Sequence, residues 1–269
     1  HVNNHVSNHV NNDGNNYVNN DGNNYVNNDG NNYGNNYGNN YGNIEETHVN
    51  NDGNMEETHV KNDGNMEETH VKNVYEEIAD HFSNTRVYKW AWVIDFLDSL
   101  KSNSVVYDLG CGNGRNMNHG SLKFIGIDNC ENFIKICIKK NLEVVNSNIT
   151  KIPLQNTSAD AIICIAVFHH LVNESNRLDA LFEMKRLIKK NGKILLSVWS
   201  INQPKKTRRS FNNYGNNIVL WNNNQGKIYE RYYYIFKLDE IKQLFKKAGL
   251  NIINYEYNCG NDIFTLMKI

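Results

Sequence analysis

Val105-Val106-Tyr107-Asp108-Leu109-Gly110-Cys111-Gly112-Asn113-Gly114 decides the fold. The first five residues read as a strand buried on both faces, and the glycines behind it as a tight turn. Glycine recurs as G-x-G-x-G, whereas the dinucleotide fingerprint requires G-x-G-x-x-G, and position 115 is Arg. Without Cβ atoms, the turn backbone can approach a ligand closely. Asp128 stands 20 residues after Asp108, behind the apolar run Phe124–Ile127. An acid there can accept both hydroxyls of an adenosine ribose.

Outward from this unit, strands and helices alternate. Upstream, the sequence predicts helices at Val74–Phe82 and Ala91–Leu100, the second with Trp90, Val93, Ile94, Leu97 and Leu100 on one stripe. Downstream, Asn132–Lys140 reads as a helix, Glu143–Val145 as a short strand and Ala161–Val167 as a buried strand. Arg177–Lys189 reads as a helix capped by Asn191-Gly192, and Lys193–Trp199 as the next strand. Asp239–Ala248 is a further helix, and Asn251–Tyr257 with Ile263–Lys268 forms a closing hairpin. The alternation predicts an α/β fold with a mainly parallel sheet covered on both faces, plus antiparallel strands at one edge.

Residues 1–73 differ in kind. NNYVNNDG, NNYG and EETHVNNDGNM units repeat there, and asparagine fills 26 of the 73 positions. Such a segment has little to bury and is expected to be disordered, leaving 74–269 as the domain. The first 73 residues hold two lysines against eleven acids, a net of −9, while the remainder carries +8. A basic body points toward an anionic partner, nucleic acid being the commonest. Five cysteines without a C-x-x-C pair argue against a disulfide framework and against a zinc site; no metal site is expected. Apolar runs are too short to span a bilayer, so no membrane partner is expected. The chain begins at His, as a fragment or processed form would, and no signal peptide is visible. A cytoplasmic location is expected, with the nucleus as a second.

The G-x-G-x-G turn behind an h-h-D-h strand resembles motif I of Rossmann-like class I S-adenosylmethionine-dependent methyltransferases, which implies a seven-stranded sheet. A more specific resemblance runs through Tyr75, Ile78, Ala79, His81-Phe82-Ser83-Asn84-Thr85-Arg86 and Lys89-Trp90. It continues in Gly126-Ile127-Asp128, Ile165-Ala166-Val167-Phe168-His169-His170, Val198-Trp199, Gln203 and Arg231-Tyr232-Tyr233. These segments are similar to the eukaryotic tRNA wobble-uridine carboxymethyl-methyltransferases. Departures occur at Lys89-Trp90-Ala91-Trp92, at Ile218-Val219-Leu220-Trp221 and at Tyr234, where that family has K-P-W-P, F-V-P-W and a His.

The resemblance implies methyl transfer from S-adenosyl-L-methionine to the carboxylate of 5-carboxymethyluridine in tRNA. It also implies a small zinc-ribbon activator subunit as hetero-dimer partner. Asp108, Gly110, Gly112, Gly114, Asp128, Asn148 and Ala166 are the expected cofactor residues, with Asn148 toward the adenine amino group. Arg86 and His170 are the expected catalytic pair at the substrate carboxylate; His169 ranks below His170, since neighbours leaving an extended strand point apart. Lys205, Lys206, Arg208, Arg209 and Arg231 are the expected substrate contacts, the first four through phosphate. Cys111 reads as a packing residue. A carboxylate with pKa ~4 is ionised at neutral pH, so no general base is needed. The competing readings are a small-metabolite methyltransferase and a catalytically silent RNA-binding scaffold.

Overall fold

The computed structural model describes residues 66–205, 210–222 and 226–269, together with the backbone of two short strands nearer the N-terminus. The chain divides into two units, His1–Asn43 and Ile44–Ile269. In the first, Asn16–Tyr17 pairs antiparallel with Tyr25–Val26. The rest of the tract expected to be disordered, up to residue 65, lies outside the described residues.

Helical structure is described upstream of the expected boundary at 73/74. A π-helical turn at Glu68–Lys72 runs into α1, Asn73–Thr85. The Glu67 carboxylate accepts from the Val172 N–H at 2.7 Å and from the Asn176 side-chain amide at 2.8 Å. A repeat unit has thereby become the first turn of the domain. A chain starting at residue 74 is expected to melt below one starting at residue 66, because hydrogen bonds to a charged group contribute roughly 1.5–3 kcal/mol each. Equal melting temperatures in calorimetry would show that the contact carries no weight.

The second unit continues with α2 (Ala91–Asp98), β1 (Val105–Leu109), β2 (Lys123–Asp128), α3 (Glu131–Lys139), β3 (Val144–Asn146) and β4 (Ala159–Ile165). After these come α4 (Glu174–Leu187), β5 (Ile188–Trp199), β6 (Gly215–Asn222), β7 (Ile228–Ile235), α5 (Leu238–Lys247), β8 (Leu250–Asn258) and β9 (Asn261–Lys268). Seven strands form one sheet in the order β8-β9-β5-β4-β1-β2-β3. β1 pairs parallel with both β2 and β4, while β9 runs antiparallel to β5 and to β8. The strand order therefore reverses between β1 and β4, and ligands of open α/β sheets bind in the crevice beyond such a switch point.

Apolar side chains of β1, β4 and β5 (Leu109, Ile162, Cys164, Leu196) join Leu181 and Met184 of α4, Phe245 of α5 and Phe264 of β9 in one core. Among the described residues no helix is long and apolar enough to cross a membrane. Two readings need correction. α4 ends at Leu187, with Ile188 already extended, so Asn191-Gly192 bends the start of β5 instead of capping the helix. The stripe on α2 is carried by Trp92, Val93, Phe96 and Leu97, which are the residues buried there.

Between β5 and α5, β6 and β7 pair antiparallel as a separate two-stranded sheet. This hairpin has no counterpart in the sequence reading. Trp221 of β6 packs against Val74 and Ile78 of α1, and the Tyr233 ring of β7 stacks on Trp199 at 4.1 Å. The hairpin is thereby fixed both to the N-terminal helix and to the end of β5.

Candidate active site

At the end of β1 the chain turns sharply, and the N–H groups of Gly110 and Cys111 both donate to the Ile127 carbonyl, at 2.7 and 3.1 Å. Gly112 has φ +53°, and a Cβ built there would meet nothing within 4 Å. It faces open space in a backbone conformation that side chains disfavour. Gly110 is different: a Cβ would lie 2.3 Å from a Val167 methyl. Its replacement by Arg would therefore disrupt the packing of β1 against the β4 loop before any side chain reached a ligand. A Cβ on Gly114 would collide with Leu142.

Asp128 stands beside this turn as expected. One carboxylate oxygen accepts from the Gly112 N–H at 2.8 Å, the other from the Cys130 N–H at 2.9 Å. Asp108 is buried on β1, and its Oδ2 has no hydrogen-bond partner among the described residues. Burial pushes the Asp108 carboxyl up to about 7 and that of Asp128 up to about 6. Arg115, Asn116 and Lys89 pull Asp108 the other way. A buried carboxylate oxygen without a donor calls for a cation. An open glycine face, an acid at the end of β2 and a buried acceptor fit S-adenosylmethionine, whose methionine end carries an ammonium group.

The other expected cofactor residues are mixed. Ala166 ends β4 with φ +57°, its N–H donating to the Ser197 carbonyl at 3.2 Å. A non-glycine residue in this left-handed region is strained, and strain of this kind gathers at functional sites. Asn148 is exposed, and its side-chain oxygen accepts from both the N–H and the hydroxyl of Thr150, at 3.0 and 3.1 Å. That oxygen is occupied in a local turn, so an adenine amino group would have to displace a Thr150 donor.

Arg86 terminates α1 beside the glycine turn. The Asn113 side-chain amide donates to the carbonyls of Ser83 and Arg86, at 3.2 and 2.9 Å. The Arg86 guanidinium lies 5.0 Å from the Phe82 ring centre. Phe82 meets Tyr75 edge-on at 5.5 Å, and Tyr75 meets His170 at 5.4 Å. The two expected catalytic residues thus belong to one aromatic array.

His170 does not act as the expected donor. Its Nδ1 lies 2.8 Å from the Tyr232 carbonyl, which only accepts, so Nδ1 carries the proton. Burial lowers the imidazole to about 4. Nε2 is then bare and accepts from the Tyr75 hydroxyl at 3.2 Å. Tyr75 in turn accepts from the Tyr233 hydroxyl at 3.3 Å. The result is a hydroxyl chain of fixed polarity, Tyr233 to Tyr75 to His170. His169 and His170 lie in a 3₁₀ turn, Phe168–His170, not on an extended exit, and their rings touch edge-on at 4.7 Å. His169 accepts from the Trp199 N–H at 2.9 Å and belongs to the buried core.

Arg231 is also misplaced as a substrate contact. It is 1% exposed, its guanidinium over the rings of Trp221 and Tyr233. Tyr232 and Tyr233 are buried as well and present no face for stacking on bases. Lys205 is exposed on the loop after β5, whereas Lys206, Arg208 and Arg209 lie outside the described residues. The sequence reading missed Tyr75, Tyr233 and Asn113 as members of the site. Asn113 had a local signal, an amide between two turn glycines; the tyrosines had only their place in the resembling segments, because their partners are distant in sequence.

A family model described as Methyltransferase domain matches residues 107–196, the stretch that holds the glycine turn, Asp128 and both histidines. Solved structures with this fold include the CcbJ methyltransferase of Streptomyces caelestis, 11% identical, with a TM-score of 0.59 over 75% of this chain and 98% of that one. A S-adenosylmethionine-dependent methyltransferase of Clostridium acetobutylicum is 13% identical, with a TM-score of 0.52 over 73% of this chain and 98% of that one. Among curated relatives, the tRNA (carboxymethyluridine(34)-5-O)-methyltransferase of Arabidopsis thaliana is 44% identical over 48% of this chain, and ALKBH8 of Mus musculus, which bears the same name, is 38% identical over 51%. The matches span only 32% and 21% of those longer proteins. The tRNA (carboxymethyluridine(34)-5-O)-methyltransferase of Schizosaccharomyces pombe is 33% identical over 70% of this chain and 91% of its own length. With that near-complete match standing on a methyltransferase fold and an intact cofactor cradle, this chain belongs to the tRNA (carboxymethyluridine(34)-5-O)-methyltransferase family.

Proposed function

We propose that this chain transfers a methyl group from S-adenosyl-L-methionine to the carboxylate of 5-carboxymethyluridine at the tRNA wobble position, giving the methyl ester. The observation that carries the reading is the match to the fission-yeast enzyme over 91% of that protein's length. Supporting it, the Ser83–Arg86 segment is tied by Asn113 to the cofactor turn.

S-adenosylmethionine, when bound, supplies an electrophilic methyl group on a sulfonium. The work left to the protein is positioning and exclusion of water. Asp108 and Asp128 would hold the ammonium and the ribose of the cofactor. Arg86 offers a planar fork that matches a carboxylate in two parallel hydrogen bonds. His170 is a positioning residue that fixes the Tyr75 hydroxyl. No side chain need remove a proton, because the substrate carboxylate is already ionised, and a histidine lowered to about 4 has no proton to exchange near neutrality.

A small zinc-ribbon activator as partner is supported by the family resemblance. Lys205, Lys206, Arg208 and Arg209, which follow β5 in the sequence, are assigned to tRNA phosphate on their charge and their place in the sequence. The test is methyl transfer from labelled cofactor to bulk tRNA with the activator present. Label that is released by mild base, as an ester is, is the expected result. Label stable to base, or found in a small metabolite, would overturn the reading.

A further inference from the structure

The structure assigns Asn113 the task of coupling cofactor occupancy to the placement of Arg86. This rests on the proposed reading that Arg86 faces the substrate carboxylate. Asn113 sits inside the glycine turn, between Gly112 and Gly114, which have φ +53° and +75°. Its side chain is 5% exposed. The partners fix its orientation. Two backbone carbonyls, of Ser83 and Arg86, can only accept, so the group facing them is the NH₂. The Arg115 N–H, 3.2 Å away, can only donate, so the group facing it is the oxygen. Both ends of the amide are therefore used, one inside the turn and one outside it.

The outside partners matter. The last carbonyls of a helix have no acceptor role within it. At the end of α1, Arg86 leaves the helix with φ −120° and ψ 68°, and its own N–H reaches the Ser83 carbonyl at 3.4 Å. The carbonyls of Ser83 and Arg86 are met from the cofactor turn by one amide. The turn itself depends on two glycines in the left-handed region, where alternative conformations cost little. A ligand seated against the open face of Gly112 selects one of them, and so fixes Asn113 and the backbone that carries the Arg86 fork. Linkage makes the effect reciprocal: substrate held by Arg86 must tighten the cofactor by the same factor. Asn113 touches no reacting atom; it is a positioning residue.

The experiment measures tRNA affinity of the full chain with its activator, with and without saturating S-adenosylhomocysteine. The wild type is expected to bind tRNA about tenfold more tightly when that ligand is present, within the usual range of such couplings. In Asn113→Ala and in the isosteric Asn113→Asp, which cannot donate to the two carbonyls, the factor is expected to fall to near one. Each ligand measured alone should bind within about threefold of wild type. A second measurement uses wild-type protein only. Amide hydrogen exchange of the 79–88 segment should slow when S-adenosylhomocysteine is added without tRNA. In a double-mutant cycle on turnover, Asn113→Ala should add little to Arg86→Ala, since one acts through the other. Undiminished coupling in the variants, unchanged exchange at 79–88, or additive losses in the cycle would each overturn the assignment. Slowed exchange in a wild type that methylates no tRNA would support the tether and sink the functional reading instead.

Discussion

Arg86→Ala is expected to lower turnover on tRNA carrying 5-carboxymethyluridine by ~10²-fold or more, the scale of losing an oriented hydrogen-bonding group at the reacting centre. Arg86 is buried beside the cofactor turn, its backbone held by Asn113 and its guanidinium over Phe82. From that place it can orient a carboxylate without a base. Arg86→Lys keeps the charge but loses the planar fork, and should recover little of the rate. Cofactor affinity, measured by calorimetry, should stay near wild type in both variants. An alanine variant that turns over like wild type would remove Arg86 from the chemistry.

The second large effect is expected at Asp108, and it has two opposite signs. Asp108→Asn should weaken S-adenosylmethionine binding by ~10²-fold or more, since an ion pair broken in the interior costs about 3–5 kcal/mol. The same change should leave the ligand-free protein as stable as before or more so, because it removes a carboxylate buried without a full set of donors. The pH dependence follows from the raised carboxyls. Both sit above the ordinary aspartate range, so the folded chain holds more protons than the unfolded one between about pH 4 and pH 7. Stability of the ligand-free domain therefore falls as pH rises through that window. Cofactor affinity runs the other way. A cationic ligand needs Asp108 ionised, so affinity should fall roughly fivefold to tenfold from pH 7.5 to pH 6. In Asp108→Asn the slope should flatten, leaving the weaker dependence due to Asp128. Wild-type affinity in that variant would show that the ammonium is held elsewhere.

The cofactor half of this protein was legible in the sequence because its signals are local. A buried strand, a glycine turn and an acid on the next strand are short-range facts, and Asp108, Gly112 and Asp128 stand where the sequence placed them. The substrate half was legible only as family resemblance. The β6–β7 hairpin escaped because its alternation is spoiled. Asparagines crowd β6 and the residues around it, and Arg231, Tyr232 and Tyr233 are buried in succession, with Tyr233 reaching both Tyr75 of α1 and Trp199 of β5. Arg231 read as a substrate contact because it lies in a segment that resembles the family; two aromatic rings make its burial possible. His170 read as a donor because nothing near it in sequence announces the Tyr232 carbonyl, 62 residues away, that takes its only proton. The helix start was placed late because Glu67 belongs to a repeat unit, and its partners lie beyond residue 170.

The hydroxyl contact between Tyr75 and Tyr233 joins residues 158 positions apart. That distance sets an order of assembly. A chain emerging from the ribosome presents β1, the glycine turn, β2 and β4 long before β7 exists. Contacts of high sequence separation also form late in folding, since the loop they close must lose its entropy first. A nascent or C-terminally shortened chain would therefore hold the glycine turn at the end of β1 while the β6–β7 hairpin and its grip on α1 were still missing. The turn and the hairpin are acquired at different moments in the life of the chain.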